Sequence, residues 1–200
     1  MLHLRIGSTI IVGLYVLMIV VSLLLGNSVK LEAPPNVPIP TSGRAFIEQP
    51  AGEGPFSFIV VGDTRRGTKW FQVMMEKAAR RKPAFVVLLG DFANRPTLDE
   101  YRFFFKVIKE TKMQIPLVMA AGNHDIEYHG RIDKEIYRRF FKGLYYYFTY
   151  SDSLFVILDG STRDMDEAQF KWLEEVLAKE APEQFAFALE LDDLRGLPQL

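Results

Sequence analysis

Three short apolar runs in this chain each end on a glycine followed at once by polar residues, and no other feature narrows the fold as much. Residues 56–61 lead into Gly62-Asp63-Thr64-Arg65, and residues 84–89 into Gly90-Asp91-Phe92-Ala93-Asn94. Residues 116–121 lead into Gly122-Asn123-His124-Asp125. Near-continuous apolar runs of this length read as strands of a sheet covered on both faces. Between them, residues 68–81 and 97–111 read as amphipathic helices, the second with Phe103, Phe104, Val107 and Ile108 toward the core. Alternating strands and helices predict an α/β fold. Open α/β sheets gather ligands at the carboxyl ends of their strands, so the three polar groups should converge on one edge. Glycine ahead of each group lets the chain turn sharply as it leaves the strand. Two carboxylates, a carboxamide and an imidazole suit hard or borderline divalent ions.

Residues 132–141 read as another helix, and residues 145–150 and 154–158 as a hairpin around Ser151-Asp152-Ser153. Residues 166–179 form a further helix with Phe170, Leu173, Val176 and Leu177 on one face. A net charge of −1 offers no electrostatic reason to expect a nucleic-acid partner. The basic clusters Arg80-Arg81-Lys82 and Arg138-Arg139 fall near predicted helix ends, where cations complement the helix dipole. With no cysteine, disulfides and thiolate metal sites are excluded.

Residues 6–26 carry no charge and are dominated by Ile, Val and Leu, enough to cross a hydrocarbon core of about 30 Å as a helix. Arg5 on one flank, with Lys30 and Glu32 on the other, favours the N-terminus inside and the rest outside the cytoplasm, in a single-pass arrangement. A cleaved signal peptide is the rival, with Gly26 and Ser28 as small residues before the cut. Residues 31–54, with Pro34, Pro35, Pro38, Pro40 and Pro50, read as an extended tether. The expected organisation is thus an anchor over 1–30, a linker over 31–54, a domain over 55–182 and an atypical tail over 183–200.

The ordered series, Asp63, then Asp91 28 residues on, then Gly-Asn-His-Asp beginning one residue before Asn123, 32 further on, resembles the motifs of calcineurin-like metallophosphoesterases. That family includes purple acid phosphatases and cyclic nucleotide phosphodiesterases. The resemblance implies a β-sandwich flanked by helices and hydrolysis of phosphate esters with two divalent ions, Mn, Fe or Zn. It implies that Asp63 ligates the first metal, that Asp91 bridges both, and that Asn123 binds the second. His124 would not be a ligand. It would stabilise the phosphoryl oxygens or protonate the leaving alkoxide, with Asp125 orienting its ring. Arg65 stands where the family usually has a histidine, and either grips a substrate phosphate or lies on the surface. The family's later histidines have no counterpart: the chain's three are His3, His124 and His129, the last reading as a solvent-facing loop residue. Residues 185–189 stand where the next ligand-bearing strand belongs, and residues 190–200 do not read as a ligand loop. The expectation is therefore an incomplete site, as a truncated or frameshifted chain would have, with the second metal held by little beyond Asp91 and Asn123. An active hydrolase, an inactive remnant and a phosphate-ligand binding module all remain open at this point.

Overall fold

The structure, a computed structural model, describes residues 31–49, 54–65, 69–162, 164–180 and 185–189. The three apolar runs form strands β1 (Phe58–Val61), β2 (Phe85–Leu89) and β3 (Leu117–Ala120). They pair in parallel in the order β1-β2-β3, with Phe58 opposite Phe85 and Val87 opposite Val118. The crossovers are helices α1 (Lys69–Arg80) and α2 (Leu98–Thr111). Helix α2 starts where the Thr97 hydroxyl accepts the Glu100 amide and stops at Lys112, in the left-handed conformation. A short helix α3 (Asn123–Ile126) follows β3, then a small hairpin of β4 (Glu127–Tyr128) and β5 (Arg131–Ile132), and helix α4 (Glu135–Phe141). A second sheet is built from β6 (Tyr146–Tyr150), β7 (Ser153–Ile157) and β8 (Phe185–Leu189), with α5 (Glu167–Glu180) between the last two. Strands β6 and β7 are antiparallel, while β7 and β8 are parallel.

Side chains alternate across a strand, and the alternation here sorts the layers. Phe85, Val87, Val118 and Ala120 from the first sheet meet Tyr146, Phe148, Tyr150, Phe155 and Ile157 from the second in one buried cluster. Phe85 is its hub, with ring centroids 5.0 Å from Phe155 and 5.2 Å from both Phe58 and Phe148. Burying each such ring contributes about 1.5–3 kcal/mol. On the outer face of the second sheet, Tyr147, Leu154, Val156 and Leu158 pack against Leu173 and Val176 of α5. The alternate residues of β2, Val86 and Leu88, are equally buried and face away from the second sheet. The result is the expected sandwich of two sheets with helices outside.

Several expectations are corrected by the packing. The inward stripe of α2 is Tyr101, Phe104, Phe105 and Ile108, the i, i+3, i+4, i+7 set, and Phe103 is exposed. Leu177 likewise faces outward from α5, and Gln169 is buried in its place. Ile132 lies in β5 rather than at the start of α4. The proline-rich stretch is no free tether over residues 31–49, because it covers sheet edges. Strand β3 turns the amides of Leu117 and Met119 outward; the first donates to the Asn36 carbonyl at 2.8 Å and the second to the Tyr146 hydroxyl at 3.1 Å. Along β6, the Ala45 amide donates to the Tyr147 carbonyl and the Tyr147 amide to the Gly43 carbonyl. Val37, Ala45 and Ile47 are buried. Uncovered strand edges leave backbone groups unpaired; this segment satisfies those at Leu117 and Tyr147, while Tyr146 of β6 takes the Met119 amide. Residues 185–189, assigned to the tail, form β8 and bury the β7 edge in the register Phe155 opposite Phe187. The expected anchor over 6–26 lies outside the described residues. Among the described residues, no helix is long and apolar enough to cross a membrane.

Candidate functional site

The carboxyl ends of β1, β2 and β3 bring the three polar loops together, and backbone geometry does the aiming. Gly90 has φ +72°, and Asp91 beside it has φ +51°. Asp63 is also left-handed, at φ +48°. Such conformations are uncommon outside glycine, least so for Asp and Asn, and each turns a side chain back over the strand ends. Gly90 is obligatory for a second reason: a Cβ there would lie 2.1 Å from the Gly122 nitrogen.

The loops are stitched in series. The Arg65 amide donates to the Asp91 carbonyl at 2.8 Å. The Asp91 amide donates to Oδ2 of Asp125 at 2.8 Å, which also accepts the Gly122 amide at 3.0 Å. Oδ1 of Asp125 accepts the Ala93 amide at 3.0 Å, and the Tyr101 hydroxyl donates to the Asp125 carbonyl at 3.0 Å. Asp125 is fully buried. Burial pushes its carboxyl up to about 8, against the pull of the Gly122 and Ala93 amides. The expectation that Asp125 orients the histidine ring is therefore corrected: its oxygens are taken by three loop amides. The ring of His124 is held instead by the Asn94 carbonyl, 3.2 Å from Nδ1. A carbonyl only accepts, so Nδ1 carries the proton there and Nε2 is the edge left for chemistry.

Asp91 is the buried centre of the group. Its Oδ1 accepts the His124 amide at 3.1 Å, and its Oδ2 lies 3.4 Å from Nη2 of Arg65. Burial raises its pKa above the ordinary carboxylate value, while the His124 amide and Arg65 hold it down. Asp63 is more exposed and pairs with Nε of the same Arg65 at 2.7 Å. The hydroxyl oxygen of Thr64 is buried with no hydrogen-bond partner among the described residues. Asn123 opens α3, half-buried, next to His124. His129 is exposed in the turn after β4, as expected. Asp159, two residues past β7, is occupied by Lys134 at 2.8 Å and by Ser161.

Sequence reasoning misses Tyr101 and Asn94 as members of this site. Tyr101 is visible only as one more apolar position of α2, and Asn94 acts through its main chain, which no side-chain pattern reveals. Next along the chain from Asn94, a cleft of about 500 Å³ is lined by Arg95, Thr97, Asp99, Glu100 and Phe103. The Arg95 guanidinium lies over the Tyr128 ring at 5.6 Å, joining that wall to the β4–β5 hairpin.

Among the described residues, the donors that come together are too few to hold two metal ions. The carboxylates of Asp63 and Asp91 share one guanidinium, which is donor-only and cannot ligate. Among the described residues, no group of three or more His, Asp or Glu side chains comes together to hold an ion.

The family model for calcineurin-like phosphoesterases matches residues 56–194. No curated protein matches the chain.

Proposed function

Because the chain belongs to the calcineurin-like phosphoesterase family, we propose that it hydrolyses phosphate esters where β1, β2 and β3 end. The family generally depends on a dinuclear metal centre. The observation that carries the reading is the convergence of Arg65 and the His124 amide on the buried Asp91. The half-exposed guanidinium of Arg65 suits two phosphate oxygens at once. His124, with Nδ1–H against the Asn94 carbonyl, has Nε2 available to protonate a leaving alkoxide. Binding of a phosphate-bearing partner without turnover is the second reading, favoured by the guanidinium that spans both carboxylates.

Full-length protein assayed on an aryl phosphate with manganese separates the two. Turnover should appear and fall about a hundredfold in His124→Ala, the usual weight of a general acid. Phosphate binding without turnover would favour the second reading, and neither would remove both.

The same proposal has the domain tethered by residues 6–26 and lying outside the cytoplasm, supported by the uncharged run and Arg5 before it. A reporter fused after Leu200 should be active only outside the cytoplasm. Activity confined to the cytoplasm would contradict the orientation.

A further inference from the structure

Both acids at the ends of β1 and β2 face one arginine. Nε of Arg65 lies 2.7 Å from Oδ1 of Asp63, and Nη2 lies 3.4 Å from Oδ2 of Asp91. The Asp91 side chain is only 4% exposed, so its charge must be balanced from within the protein. The main chain of Arg65 is fixed, since its amide donates to the Asp91 carbonyl. Its side chain is 45% exposed and has solvent to move into. A guanidinium stays protonated at any accessible pH and offers only donors. An oxygen that accepts from it has less charge to give a metal ion, and the two positive charges repel.

We propose that Arg65 is a built-in cation filling the Asp63–Asp91 site, so that a divalent ion must compete with the guanidinium for both carboxylates. The two acids remain competent ligands, and the arginine sets how tightly an ion is held. The inference concerns the same site as the proposed hydrolysis but rests on the ion pairs alone, and its readout is cation binding rather than turnover.

The test is titration of the full-length chain with Mn²⁺, reading the dissociation constant directly. Arg65→Gln should bind Mn²⁺ about tenfold more tightly than the parent, as expected for removing a unit positive charge a few Å from the ion. Adding Asp91→Asn should erase that gain. Should the Gln variant not fold, Arg65→Met removes the same charge while keeping an unbranched stem, and the same gain is expected. Mn²⁺ affinity unchanged or weakened in the folded neutral variant would overturn the proposal. So would a gain that survives Asp91→Asn, because the ion would then sit elsewhere.

Discussion

Gly90→Ala is expected to lower the stability of the domain by about 2–5 kcal/mol, combining a backbone clash with left-handed strain. The added Cβ would stand 2.1 Å from the Gly122 nitrogen, 2.5 Å from its Cα and 2.8 Å from the Ala121 carbonyl carbon. All three atoms belong to the main chain of the neighbouring loop, so no rotamer change relieves the contact. The ends of β2 and β3 would have to part, and the Asp125 carboxylate that joins their loops would lose partners with them. A φ of +72° adds about 1–2 kcal/mol for any residue with a Cβ. Gly130 supplies the control. It has nearly the same φ, +75°, with nothing near its absent Cβ, so Gly130→Ala meets the strain without the clash. Urea unfolding of the two variants should differ by the clash alone. Equal midpoints would mean that the two strand ends do not approach this closely.

A loss of that size is a large fraction of the roughly 5–15 kcal/mol that holds a typical domain together. It also explains why the Gly-Asp pairs are legible in sequence at all. The strands can be read because buried parallel strands leave apolar runs, and the turn can be read because only glycine permits the approach at Gly90. Position within a helix face is harder. Phe103, Phe104 and Phe105 are chemically alike, and one residue of phase decides which of them faces water. The proline-rich stretch misleads for a different reason. Its composition reports a chain unable to pair with itself, whereas its fate over 31–49 is set by distant edges at Leu117 and Tyr147 that need covering. Asp125 departs most from expectation, since the resemblance to the family implies that it orients the ring of His124. Hydrogen bonds to main-chain amides have no sequence signature, and here they take both its oxygens.

That distinction can be measured. Asp125→Ala should cost about 3 kcal/mol or more in stability, because it leaves the amides of Asp91, Ala93 and Gly122 buried without an acceptor, each worth about 1–3 kcal/mol. Part of the loss is offset, since the carboxyl is itself unfavourably buried, the reason it is pushed up to about 8. Asp125→Asn keeps the shape and one acceptor oxygen, but its NH2 group must face at least one loop amide, donor against donor. It should therefore lose about 1–3 kcal/mol and fall between the alanine variant and the parent. Fluorescence of Trp172, packed 4.8 Å from the Tyr145 ring, offers a reporter for unfolding. If Asp125 served only to orient His124, both variants would unfold with the parent and only turnover would suffer. Parental stability in Asp125→Ala would return the residue to that role. A loss of stability graded from Asn to Ala would instead identify it as the buried tie that holds the strand ends of β2 and β3 in place around Asp91.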